Sequence, residues 1–419
     1  MSDSLHNGET ETITSNFMLT IRKPLMYKRI IVSVILLSLL AFVGCDYSSG
    51  PIDSIIYESA VLEQAPESGT PIEGQYIIVM DKKHFTLGKS AIEVGSLAAG
   101  ILQENGISRD AIGLIYTHAL TGFTAELSEV EASKLRLDSR VIIVEQDRII
   151  TLGKPEGKGK KTSDPEPQQI PWGITRVGGS GNGTGNTAWV IDTGIDLGHK
   201  DLNVDEGRSA NFVPRGKDSP KDGHGHGTHV AGTIAAINNS IDVVGVAANA
   251  SLVAVRVLDN AGSGAYSWVI AGVDYVAEYA TVGDVANLSL GGPPSKALDA
   301  AVRNAADAGV KFSLAAGNSG ADADDYSPAR VEYPNVWTVS AIGQDDCMPS
   351  WSNWGNPPIE YAAPGVGILS TKKSGGTTTF SGTSMAAPHV AGLLLLGAVL
   401  TDGFACKDQD GNPDPIAFH

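Results

Sequence analysis

From Thr187 onward the chain alternates short apolar runs with longer runs of helical length, and this alternation most constrains the fold. Strand-like runs fall at residues 188–191, 251–258, 285–290, 310–315, 337–341 and 359–362, and helix-like runs at 229–237, 267–279, 295–308 and 385–400. The strands are almost uninterruptedly apolar, as in Ala188-Trp-Val-Ile191, so both faces of their sheet are to be buried. Strands separated by helices predict an α/β domain with a mostly parallel, doubly wound sheet. Such sheets place their sites at the carboxyl ends of strands, which directs attention to polar residues just beyond the apolar runs.

Three such places carry chemistry. Ala188-Trp-Val-Ile-Asp-Thr-Gly194 runs into Asp192 and then a turn. Asp222-Gly-His-Gly-His-Gly-Thr-His-Val-Ala-Gly232 sets three histidines among small residues before a helical run. Phe380-Ser-Gly-Thr-Ser-Met-Ala-Ala-Pro-His-Val-Ala-Gly392 places Ser384 where a polar turn meets an apolar helix. Alone, Ser384 reads as a helix cap. The histidines alone could indicate a metal site, but the H-E-x-x-H glutamate is absent. Together the blocks supply an orienting carboxylate, a general base and a nucleophile. The Gly-x-Ser-x-Gly elbow of a lipase-like esterase is not matched, because Ala386 stands at its second glycine.

The blocks Val190-Ile-Asp-Thr-Gly, His226-Gly-Thr-His-Val-Ala-Gly and Gly382-Thr-Ser-Met-Ala-Ala-Pro, in that order, resemble the subtilisin-like serine proteases, or subtilases. The resemblance implies Asp192 as acid, His226 as base and Ser384 as nucleophile. His229 becomes structural, and His224 lies outside the motif as a solvated loop residue. Ala315-Ala-Gly-Asn318 is similar to the family's oxyanion block, with Asn318 and the Ser384 backbone N–H as donors. Ser289, Leu290, Gly291 and Gly292 then form a strand end to which an extended substrate adds, and Ala315, Ala316 and Gly317 a second pocket wall. These walls are small and uncharged, implying acceptance of apolar or aromatic side chains. Pro171-Trp-Gly, Gly262-Ser-Gly-Ala-Tyr-Ser267 and Asp325-Tyr-Ser-Pro-Ala329 look closer to the proteinase K branch.

The resemblance also implies structural calcium. Gln168, Asp201 and Asn239 would give side-chain oxygens and Ile237, Ile241 and Val243 carbonyls, all hard ligands. A second site would use Glu360 with the carbonyls of Pro334 and Val336. Asp408-Gln-Asp-Gly-Asn-Pro-Asp414 lacks the distal Glu of an EF-hand loop and reads as a polar tail.

Residues 1–45 read as an export signal. Lys28 and Arg29 precede an apolar run from Ile30 to Val43 that ends before Cys45, and Met26 is an alternative start. The pattern resembles a lipoprotein signal with Cys45 as the lipidated residue. Residues 46–73 are a Ser/Pro/Gly-rich linker. Residues 74–150 hold strands at 74–80, 122–127 and 141–145 and helices at 91–105 and 128–137. The segment resembles the ferredoxin-like α+β propeptide of subtilases, a chaperone and inhibitor. Residues 151–167 are a Gly/Lys/Pro-rich linker and the expected processing region, and 168–419 the catalytic domain. Cys347 and Cys406 either pair or stand as isolated thiols. A net charge of −17 argues against nucleic-acid binding. The expectation is an exported monomeric endopeptidase acting on proteins and peptides. The alternative is a catalytically inactive protease-fold binding protein at the cell surface.

Overall fold

The computed structural model describes residues 67–152 and 166–419. The expected signal, Cys45, most of the first linker and most of the processing region lie outside the described residues.

The first domain runs β1 (Pro71–Met80), α1 (Ala91–Glu104), β2 (Ile112–Tyr116), β3 (Gly122–Glu126), α2 (Glu129–Leu135) and β4 (Val141–Thr151). Its antiparallel sheet has the order β4-β1-β3-β2. Both helices carry a capping box: Ser90 with Glu93 in α1, and Ser128 with Glu131 in α2. In each, serine and glutamate satisfy backbone N–H groups at the helix start reciprocally. Val94, Ala98, Ile101 and Leu102 of α1 and Ala132 and Leu135 of α2 pack on Tyr76, Ile78, Met80 and Phe123 as a separate core.

The second domain opens with α3 (Trp172–Arg176), β5 (Gly181–Asn182), β6 (Thr187–Asp192), β7 (Ala210–Asn211) and α4 (His226–Ala235). It continues with β8 (Ala247–Ala248), β9 (Ser251–Arg256), β10 (Ser263–Ala265), α5 (Tyr266–Tyr279), β11 (Val285–Leu288), α6 (Lys296–Asp307) and β12 (Lys311–Ala315). Then come β13 (Val336–Ile342), β14 (Ile359–Pro364), β15 (Ile368–Thr371), β16 (Thr377–Phe380), α7 (Thr383–Leu396), β17 (Leu400–Phe404) and β18 (Pro415–Phe418). Nine strands form one sheet, β17-β18-β14-β13-β12-β11-β6-β9-β7, parallel except for β17. Along β6, Ala188 and Val190 enter one core with α4 and α7, while Trp189 and Ile191 enter the other with α5 and α6. Both faces are covered, as the uninterrupted apolar strands require.

The chain leaves β6 to build β7 and β9 on one side, then returns to build β11 on the other. The β6/β11 junction is therefore the switch point, where open α/β sheets place their sites. Parallel register sets Asn287 level with Val190 and Leu314 level with Leu288. Asp192, Ser289 and Ala315 thus emerge at the same end of the sheet.

Several elements differ from the sequence expectation. α4 begins at His226 rather than His229, after Gly225 in a left-handed conformation (φ 116°). α7 stops at Leu396, and the residues beyond form a hairpin whose β18 extends the main sheet beside β14. The expected polar tail at 408–414 is the turn of that hairpin. Its Asp414 is buried, accepts the Ser340 hydroxyl at 2.6 Å, and is pushed up to about 7 by burial. Cys347 and Cys406 form a disulfide, which ties the hairpin to the main body.

Candidate active site

β4 leads from the first domain into the site. Beyond its own sheet it pairs antiparallel with β10, Ile149 opposite Ala265 and Thr151 opposite Ser263, and the Leu152 N–H donates to the Gly262 carbonyl at 2.9 Å. An extended chain therefore adds to residues 262–265, which the sequence reading noted only as a branch marker. In the expected receiving strand at 289–292, the last residue is already paired with another loop. Gly292 exchanges backbone bonds with Ser327, and Ser289 and Leu290 are buried. Ala315 and Ala316 are buried as well, and Gly291 and Gly317 are the partly exposed residues of these walls.

The first domain also completes helices of the second. Asp147 accepts the Ser267 N–H at 3.1 Å and its hydroxyl at 2.5 Å, at the start of α5, which has no side-chain cap of its own. Glu145 accepts the Ala297 N–H of α6 at 3.3 Å. In return Asp274 of α5 receives backbone N–H groups of Thr117, His118, Ala119 and Leu120 at 2.7–3.3 Å.

Asp192 ends β6 and His226 begins α4. The His226 Nδ1 lies 2.8 Å from each carboxylate oxygen of Asp192, and both residues are buried. Burial disfavours the imidazolium, but Asp192, with Asp222 behind it, outweighs that cost and the His226 pKa is raised. The contact needs glycine at 227, because an added Cβ would stand 2.1 Å from the Gly194 carbonyl oxygen. Asp222 went unremarked in the sequence. It accepts the N–H groups of His224, Gly225 and Thr228 and the hydroxyls of Thr193 and Thr228, joining the two catalytic turns. His229 is structural, as expected: its Nε2 meets the carbonyls of Ile368 and Thr378, and its ring stacks on Phe380. His224 is not the solvated residue anticipated; it is half-buried with its ring 6.4 Å from that of His226.

Ser384 is the second residue of α7, capped by Gly382, so it is not the N-cap. Its hydroxyl donates to the Ser289 carbonyl at 3.0 Å rather than to His226. The Asn318 carbonyl oxygen accepts the N–H and hydroxyl of Thr383 at 2.8 and 3.0 Å, which fixes its amide. The other end, Nδ2, lies 3.5 Å from the position of a Cβ on Gly382, and the Ser384 backbone nitrogen lies 3.7 Å from that same position. The Asn318 amide nitrogen and the Ser384 backbone nitrogen thus both lie beside Gly382, as a pair of oxyanion donors requires.

Of the expected calcium ligands, the Gln168 amide donates to the carbonyls of Ile237 and Val243 at 3.0 and 3.3 Å. The Asn239 amide donates to Asp201 at 2.7 Å, and the Ile241 N–H donates back to Asn239. Asp201 is fully buried and pushed up to about 7 by that burial. Glu360, raised to about 8 by burial, accepts the Thr338 N–H at 2.6 Å. Among the described residues no three acidic, histidine or cysteine side chains group as a metal site. The first set depends on carbonyls and amides with one carboxylate.

Comparison with known proteins identifies the family of each domain. The Subtilase family matches residues 183–399, and the Peptidase inhibitor I9 family matches 75–153. The extracellular serine proteinase of Thermus sp. (strain Rt41A) is 38% identical over 378 residues, covering 86% of this chain and 88% of its own. Alkaline serine exoprotease A of Vibrio alginolyticus is 39% identical over 362 residues, covering 81% of this chain, which spans 65% of that relative. A crystal structure of a cold adapted subtilisin-like serine proteinase aligns with TM-score 0.53 and 42% identity, covering 59% of this chain and 97% of its own. The chain belongs to the subtilase family, a serine endopeptidase domain preceded by an I9 inhibitor propeptide.

Proposed function

We propose that the protein is an exported endopeptidase, made as an inhibited precursor, that cuts peptide bonds through Ser384, His226 and Asp192. The observation that carries the reading is the buried His226–Asp192 pair at 2.8 Å, where β6 ends next to the β11 end to which the Ser384 hydroxyl is bonded. His226 takes the Ser384 proton as the oxygen attacks the carbonyl carbon, and Asp192 stabilises the resulting imidazolium. Asn318 Nδ2 and the Ser384 N–H receive the developing oxyanion. His226 returns the proton to the leaving amine, and a water molecule then releases the acyl group by the same route. In the precursor, β4 occupies the backbone edge at residues 262–265 and so keeps an extended substrate from adding there. The processing cut falls between residues 153 and 168.

The finer readings belong to the same proposal. Small, uncharged walls around Gly291 and Gly317 favour apolar or aromatic side chains before the scissile bond. Gln168, Asp201 and Asn239 with the carbonyls of Ile237, Ile241 and Val243 would hold Ca²⁺, which would neutralise the buried Asp201 carboxylate. Glu360 with Pro334 and Val336 is the second candidate set. Lipidation of Cys45 would tether the precursor, and processing would free a monomeric catalytic domain. The test is labelling with a serine-directed phosphonate: one adduct on Ser384 that abolishes turnover is expected. An active enzyme left unlabelled at Ser384 would remove it from the site. An unlabelled protein without turnover would favour the inactive binding protein.

A further inference from the structure

We propose that the Ser289 side chain is a positioning residue for the nucleophile, made necessary by Pro388; this rests on the protease reading above. In an α-helix each carbonyl accepts the N–H four residues on. Four residues after Ser384 comes Pro388, inside α7, which has no N–H to give. The Ser384 carbonyl is therefore left without its helical partner in a part of the helix that is buried. Ser289 fills the gap: its hydroxyl donates to the Ser384 carbonyl at 2.8 Å. The direction of that hydroxyl is set from behind, because its oxygen accepts the Asn287 side-chain amide at 2.8 Å. In return, the Ser384 hydroxyl donates to the Ser289 carbonyl at 3.0 Å.

Two crossed hydrogen bonds thus join the nucleophile to the end of β11 instead of to its own helix. Ser289 is also the first residue of the substrate wall, so the nucleophile is registered against the wall on which a substrate lies. Loss of the Ser289 hydroxyl leaves a buried carbonyl unpaired and frees the first turn of α7 to shift. Because the wall's main chain stays in place, the loss falls on the chemical step more than on substrate binding.

The test is a two-by-two set, wild type, Ser289→Ala, Pro388→Ala and both, with kcat and KM measured on one chromogenic peptide. In the wild-type background Ser289→Ala is expected to lower kcat about tenfold with KM within about twofold, the signature of a group acting on the chemical step. In the Pro388→Ala background residue 388 offers its own N–H to the Ser384 carbonyl. The same serine substitution there should cost less than about twofold. A Ser289→Ala enzyme with unchanged kcat, or an equal cost in both backgrounds, would overturn the proposal. If Ser289→Ala accumulates only as unprocessed precursor, the fraction processed is compared in the same four proteins. Recovery in the double variant supports the proposal, and no recovery overturns it. Wild type without turnover would instead defeat the protease reading.

Discussion

The propeptide and the catalytic domain are built by opposite rules. In the propeptide both helices carry their own serine–glutamate capping boxes, and the sheet is antiparallel, with β2 and β3 joined as a hairpin. In the catalytic domain α4, α5 and α7 have no side-chain cap, and the central sheet is parallel, with strands brought together across long stretches of sequence. The missing cap of α5 is supplied from the propeptide by Asp147, and Glu145 adds an acceptor to the first turn of α6, which Ser295 already caps. Ile77, Val79, Tyr116, Leu120 and Ile150 of the propeptide belong to the same apolar cluster as Val269, Ile270 and Leu298. The domain that caps its own helices thus adds a cap and apolar surface to the other.

The comparison is broken most severely by deletion. A chain starting at residue 166 is expected to give no active enzyme on refolding, and propeptide added as a separate chain should restore activity. Unassisted refolding to full activity would show that the borrowed cap and apolar surface are dispensable. The measurement is active-site titration after dilution from denaturant.

A graded test uses pH. Burial at the interface raises the Asp147 carboxyl from its ordinary 3.8 to about 6. Asp274 and Asp299 are raised by burial as well. The joined state then holds protons that the separated propeptide gives up. Association is strongest below the ordinary value and weakens as pH rises through about 6. With Asp147 alone, the propeptide should bind an inactive Ser384→Ala catalytic domain about tenfold more tightly at pH 5 than at pH 8. Asp147→Asn should flatten that dependence. Titration calorimetry at the two pH values checks it; affinity rising with pH would contradict the assignment.

A separate test concerns how the catalytic domain is held once its propeptide has gone. The loop at Ile237–Val243 gathers carbonyls and amides around one buried carboxylate, Asp201, and a bound cation would stabilise only the folded state. At free calcium one hundred times Kd this amounts to about 2.7 kcal/mol. Chelator should shorten the active half-life of the mature enzyme at elevated temperature, and Asp201→Ala should remove most of that sensitivity. Indifference of the wild type to chelator would leave the loop without a stabilising ion. A fully sensitive Asp201→Ala would move the ion elsewhere, with Glu360 the next place to look.

The sequence made the central sheet legible because strands buried on both faces leave long apolar runs. It hid elements whose residues answer to a partner rather than to their own pattern. β4 reads as ending at Glu145, since Gln146, Asp147 and Arg148 interrupt the apolar run. Asp147 is polar because it meets a helix end of the other domain. β10 is Ser-Gly-Ala and becomes a strand only through pairing with the propeptide. β2 and the C-terminal hairpin were missed because glycines and polar turns break their short runs. At the site, Asp192, His226, Ser384 and Asn318 were readable because chemistry restricts their types. Asp222 was not, because its partners are two threonines and three backbone N–H groups, which leave no spacing signal. The hydroxyl of Ser289 was hidden for the same reason.

The central claim is that Asp192, His226 and Ser384 form one hydrolytic site whose first substrate is the chain's own linker. The most direct measurement is the intact mass of the products formed by wild type and by Ser384→Ala after folding under identical conditions. Wild type is expected to resolve into a propeptide ending, and a catalytic domain beginning, between residues 153 and 168. Ser384→Ala is expected to remain a single uncut chain without peptidase activity. A Ser384→Ala protein that is cut at the same place and hydrolyses peptides would contradict the account.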